Sequence, residues 1–159
     1  MIIVEDGSIV SGANSYVSVA DVRQFALDRG VTVPDENSGV ERLIFKAMDR
    51  FEKNSFKWYL SNQDQPLSFP RSGVDIDDRW YTNSEIPKEV KDCVLHMVLD
   101  ASVSYDDLNQ GNRTAVIRKT VGPITTEYAN PASGPSEKET RADQLLRKLV
   151  KGQGFGISF

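Results

Sequence analysis

The sequence is poor in the residues that most often carry chemistry. Its 159 residues hold one histidine and one cysteine. A lone cysteine excludes an internal disulfide. A lone histidine leaves a zinc site short of ligands and a catalytic triad without a choice of base. No apolar run approaches the roughly 20 residues needed to cross a bilayer. The opening MIIVEDGS lacks the basic and apolar regions of a secretion signal. Positive charge is not in excess either: 19 Lys and Arg face 23 Asp and Glu, a net charge of −4. That balance argues against a domain that grips nucleic acid through its phosphates, and leaves open one that DNA passes without adhering. No phosphate loop, dinucleotide fingerprint or nucleophile elbow occurs.

Two clusters come closest to a site. Asp92, His96 and Asp100 are spaced i, i+4, i+8 and share one helix face, which could hold a metal; a solvated polar stripe explains them more simply. Asp75, Asp77 and Asp78 hint at calcium, but loop positions 6 and 12 counted from Asp75 hold Trp80 and Ile86 where an EF-hand needs Gly and Glu. An aspartate-rich turn is the better reading. Cys93 falls on an apolar stripe and reads as a small core residue. The expectation is therefore no enzyme, no metal and no cofactor.

What the chain does have is helical patterning. From Ile86 to Leu108, apolar residues recur at Ile86, Val90, Cys93, Val94, Met97, Val98, Ala101 and Tyr105, a broad helical stripe with Pro87 in the first turn. Such a helix needs partners. One is predicted over Val19–Arg29, capped by Ser18 with Asp21, stapled by Val17 and Val22, and ended by Gly30. A second is predicted from a capping box at Ser38–Glu41 to Lys53, with Val40, Leu43, Ile44, Ala47, Met48 and Phe51 inward. A third follows a capping box at Ser136–Glu139 and runs to Lys151, with Ala142, Leu145, Leu146 and Leu149 on one face.

The rest connects these helices. Residues 1–17 read as an extended arm, and packing on a neighbour and pairing within its own domain are both open. Residues 54–85 form a long broken loop with Pro66, Pro70 and Gly73; its Trp58, Tyr59, Phe69, Trp80 and Tyr81 are core pins or partner contacts. Thr114–Tyr128 is rich in β-branched residues around Gly122-Pro123 and reads as a β-hairpin, marginal alone. The tail 152–159, GQGFGISF, carries apolar residues that a solvated tail does not need. The expected fold is mainly α: a bundle of about four helices with one β-hairpin, an extended N-terminal arm and a C-terminal tail. It forms a single domain divided into arm 1–17, helical core 18–108, hairpin 113–129, C-terminal helix 136–151 and tail 152–159.

Four ordered segments resemble one family. VEDGSIVSGANSYVSVADVRQFALDRG (4–30), FPRSGV (69–74), IPKEVKDCV (86–94) and VGPITTEYA (121–129) are similar to the signatures of tailed-phage head–tail adaptors. Members of that family often have Trp where this chain has Phe69, and they also carry the label DnaT-like single-stranded-DNA-binding protein. The resemblance implies a virion protein of the neck, made in the host cytoplasm. It would form a ring of itself, typically a dodecamer, beneath the portal protein, meet the tail or next neck protein, and let double-stranded DNA pass; no membrane is involved. By the same analogy, Arg141, Leu145, Arg147, Lys148, Lys151, Phe155, Ile157 and Phe159 would reach the portal. Val116, Arg118, Thr120, Ile124, Thr126 and Tyr128 would lie at subunit or ring contacts. The alternative is a single-stranded-DNA-binding accessory protein using Arg71, Arg79, Trp58, Trp80 and Tyr81.

Overall fold

The first helix, α1 (Val19–Leu27), starts at the expected cap. The Ser18 side chain accepts from the Asp21 N–H, and Asp21 accepts from the Ser18 N–H at 2.8 Å. It closes over Gly30, at φ +63°, where the Val31 N–H reaches the Ala26 carbonyl at 3.0 Å. That closure ends the helix before the predicted Arg29.

These features come from a computed structural model, which describes residues 1–109, 118–121, 124–127 and 139–152, with residues 104–109 and both strands of the later hairpin described by backbone alone.

The second helix, α2 (Asn37–Glu52), corrects one expectation. Ser38 is not its cap: Glu36 holds that position without a side-chain bond, and Ser38 lies inside the first turn. Arg23 accounts for the shift. Its guanidinium donates to the Pro34 and Asp35 carbonyls at 3.1 and 2.6 Å and to Asn37 Oδ1 at 3.1 Å. These bonds fix the incoming chain just ahead of the predicted cap.

The central helix, α3 (Lys88–Asn109), begins after Pro87, whose carbonyl accepts from Val90 and Lys91. Pro87 therefore precedes the helix rather than sitting in its first turn. Val90, Cys93, Val94, Met97 and Val98 are buried as the stripe requires, and Leu95 and Leu99 are buried as well. The helix is enclosed over more than the predicted face.

The last helix, α4 (Arg141–Leu149), is capped by Thr140 and Asp143 rather than by Ser136 and Glu139. Glu139 and Thr140 are not helical, and residue 136 lies outside the described residues. The helix stops short of Lys151 because the chain leaves it as an extended pair: Lys57 N–H donates to the Leu149 carbonyl and Lys151 N–H to the Ser55 carbonyl, both at 2.9 Å. Ala142, Leu145 and Leu149 face the core. The Cys93 thiol donates to the Ala142 carbonyl at 3.4 Å, and burial pushes its pKa up to about 12. Arg50 on α2 joins the other two long elements, pairing with Asp143 at 2.6 Å and Asp100 at 3.6 Å.

The N-terminal arm folds onto its own domain. Val4 bridges Ser15, and the buried Glu5 carboxylate accepts the N–H groups of Gly7, Ile9 and Val10 at 2.8–3.0 Å. Tyr16 and Val17 then enter the core. Gly7 is required: at φ +110°, a Cβ there would stand 2.1 Å from the Ser84 carbonyl oxygen.

The long loop contains two short antiparallel pairs, β1 (Tyr59–Leu60) with β2 (Arg71–Ser72) and β3 (Asp75–Ile76) with β4 (Arg79–Trp80). The expected hairpin is present as β5 (Arg118–Val121) and β6 (Ile124–Glu127), with Val121 opposite Ile124. The architecture is mainly α with four helices and a β-hairpin, as the patterning predicts; the two short strand pairs in the long loop are additional.

Candidate interaction sites

The loop from residue 54 to residue 85 is built outward from one buried cluster. Phe51, Phe56, Phe69 and Tyr16 meet with ring centroids 4.7–6.3 Å apart. The Tyr16 hydroxyl donates to Glu52 at 2.6 Å and accepts the Phe69 N–H at 2.9 Å, while Glu52 also accepts from the Ser68 N–H and hydroxyl. Burial and the Glu52 carboxylate drive the Tyr16 pKa well above its ordinary value. Arg71 follows a cis Phe69–Pro70 bond and donates to the carbonyls of Ser68, Lys57 and Trp58 at 2.8–3.2 Å. Its guanidinium also lies 5.6 Å from the ring centres of Phe56 and Phe69. The FPR segment that carries the family resemblance is thus the loop's internal fastening.

The predicted nucleic-acid residues divide accordingly. Arg71 is occupied. Trp58 is half-buried against the core, with the Lys57 ammonium 6.0 Å from its ring centre. The Tyr81 hydroxyl donates to Glu89 at 2.7 Å, and burial and that carboxylate raise its pKa. Trp80 and Arg79 remain exposed. Tyr59, which the aromatic loop reading included without assigning it to DNA, is 83% exposed.

Trp80 sits on β4, which a two-residue turn joins to β3. Asp77 and Asp78 join β3 to β4 with φ +51° and +64°. Positive φ at both central residues of a two-residue connection is the geometry whose twist matches paired strands. Asp77 is tied to the Lys148 ammonium on α4. Beneath the turn lies a cleft of about 280 Å³ between β3–β4, α3 and α4. Arg79, Lys88, Arg141 and Lys148 line it together with Asp77, Glu89 and Asp92. With carboxylates nearly matching cations, the cleft is no phosphate groove.

Sequence reasoning did not anticipate a second, more apolar groove of about 240 Å³, formed by Pro34 with Gly39, Arg42, Leu43 and Lys46 of α2. Its only sequence signal is a glycine on the helical face, where an added Cβ would lie 2.6 Å from Pro34 Cβ.

On α4, Arg141 and Arg147 point outward, Arg147 pairing with Glu139 at 2.7 Å, and Lys151 is exposed. Leu145 faces inward, 5% exposed, so the exposed side of α4 is mainly cationic. Phe155, Ile157 and Phe159 lie outside the described residues. Arg118, Thr120, Ile124 and Thr126 fall on β5 and β6, where Arg118 faces Glu127 and Thr120 faces Thr125 along the ladder; Val116 and Tyr128 lie outside the described residues.

His96 packs edge-on against Phe25, centroids 5.1 Å apart, and burial and Arg29 lower its pKa. Asp100 on the same helix is directed to Arg50. Among the described residues, no three His, Cys, Asp or Glu side chains gather as a metal site, and no helix is long and apolar enough to cross a membrane.

The described residues form a four-helix domain with small hairpins, fastened loops and two open surface features. The chain matches, over residues 1–159, the family described as "Putative DnaT-like ssDNA binding protein", and it belongs to that family. No curated protein and no solved structure gives a significant match.

Proposed function

We propose that this chain is a structural head–tail adaptor without enzymatic activity, a ring-forming neck component beneath a phage portal. The supporting observation is the β5–β6 hairpin. Among the described residues its strands pair only with each other. A two-stranded ribbon gains stability from a further strand. A neighbouring copy or the next ring would supply that strand. The outward cations of α4 would face the portal, and the net charge of −4 suits a channel through which DNA slides.

The family's description favours a second reading, single-stranded-DNA binding. Exposed Trp80, with Arg79 beside it, gives that reading a stacking residue and a cation. Asp75, Asp77 and Asp78 on the same hairpin oppose it by repelling phosphates. Two measurements separate the readings: co-sedimentation with portal-containing, DNA-filled heads, and fluorescence titration with a single-stranded oligonucleotide. Head binding without oligonucleotide affinity supports the adaptor. Salt-sensitive oligonucleotide binding without head binding overturns it in favour of the DNA module.

A further inference from the structure

We infer that two copies of this chain join head to tail, Trp80 of one seating in the groove beside Gly39 of the other. The inference deepens the assembly reading and rests on it. Trp80 is 73% exposed at the end of a six-residue hairpin, Asp75 to Trp80, that is held rigid from below by the Asp77–Lys148 pair. A large aromatic presented by a short, tied hairpin loses little freedom on docking, which is what an interface anchor requires. The groove offers the complementary shape. Gly39, Arg42, Leu43 and Lys46 recur at i, i+3, i+4 and i+7 on one face of α2, and Pro34 closes the side.

The charges match as well. Asp75 on β3 and Asp78 in the turn are exposed, and their carboxylates make no hydrogen bond or ion pair among the described residues. Arg42 and Lys46 rim the groove and are likewise without partners among the described residues. Docking would set two carboxylates against two cations around a buried indole.

The contact must be made between copies. The groove's Pro34 lies two residues after Thr32, whose carbonyl accepts from Ser102 in the second half of α3 at 3.1 Å. The hairpin adjoins the other end, sharing its cleft with Lys88. Fourteen helical steps from Lys88 to Ser102 rise about 21 Å along α3, more than a six-residue hairpin spans on its own chain. A knob and a hole at opposite ends make a heterologous interface, the kind that generates rings when the rotation closes.

Sedimentation velocity of the full chain from micromolar to millimolar concentration tests this. The native chain should associate with rising concentration, and Trp80→Ala should weaken association at least tenfold with unchanged circular dichroism. Arg42→Glu with Lys46→Glu should weaken it similarly. Mixing that variant with an Asp75→Lys, Asp78→Lys chain should restore mixed association. A native chain monomeric throughout, association indifferent to Trp80→Ala, or no recovery in the charge-swapped mixture would each overturn the inference. The adaptor reading is scored separately by head co-sedimentation of the native chain, so either can fail without the other.

Discussion

Two halves of one loop use similar residues in opposite ways. Residues 56–72 contain Phe56, Phe69 and Arg71; residues 75–80 contain Ile76, Arg79 and Trp80. In the first half Phe56 and Phe69 are at most 2% exposed and the arginine is bound to three carbonyls. In the second half Trp80 is 73% exposed and Arg79 is on the surface. The difference comes from the neighbours. Tyr16 and Glu52 stand ready to satisfy the backbone around Phe69, so that segment can be buried without orphaned polar groups. The short β3–β4 hairpin is pinned by the buried Ile76 and tied from Asp77 to Lys148, which leaves Trp80 outside. Fastening belongs to Phe56, Phe69 and Arg71, and presentation to Trp80.

Phe69→Ala should break the first half most severely. Phe69 is fully buried and touches three other rings, so its removal should cost about 3–5 kcal/mol in urea denaturation. A loss below about 1 kcal/mol would show that the loop is not fastened there.

The two arginines sharpen the contrast. Arg71→Met should cost about 2–3 kcal/mol, because a partly buried guanidinium leaves three carbonyls short of a donor. Arg79→Met should stay within about 0.5 kcal/mol, as exposed positions do. Equal losses would erase the distinction.

Why one half was legible and the other was not follows from the same physics. Helical spacing announced α2 and α3 because burial selects apolar residues at that period, and Ser18–Asp21 announced α1 because its cap bonds are local. Ser38 misled because Arg23, fifteen positions earlier in the chain, decides where α2 begins. Thr140 was passed over because Ser136 presents a similar signature a turn sooner. The cleft could not be read, since it joins Asp77 to Lys148 across the chain; the α2 groove is local, from Pro34 to Lys46, and Gly39 alone hinted at it. The β3–β4 turn left a faint trace, an Asp pair between Ile76 and an Arg–Trp pair, but aspartates without glycine rarely mark such a turn.

Tyr16→Phe probes the bridge between arm and loop. It deletes one hydroxyl from Glu52 and from the Phe69 N–H, which should cost about 1–2 kcal/mol at neutral pH. The pH dependence is diagnostic. The unfolded chain releases the phenolic proton near the ordinary value of 10.0, whereas the folded chain holds it to higher pH. The Tyr16 contribution is therefore complete below pH 10.0 and is lost as pH rises from there toward the folded pKa. In alkaline titrations followed by circular dichroism, Tyr16→Phe should flatten that decline. An identical alkaline slope in both proteins would mean that the hydroxyl is not held as described.

Trp80→Ala should have the smallest effect on stability, within about 0.5 kcal/mol, despite removing the larger of the compared aromatics. The reason is that most of its surface is already in water, so folding gains little from it. A rise in chain stability on replacing Trp80 would be consistent with a side chain kept for contact at the expense of solvation. A loss approaching that of Phe69→Ala would place Trp80 in the fastened half, and the hairpin would then be a pin of the fold with no partner to explain.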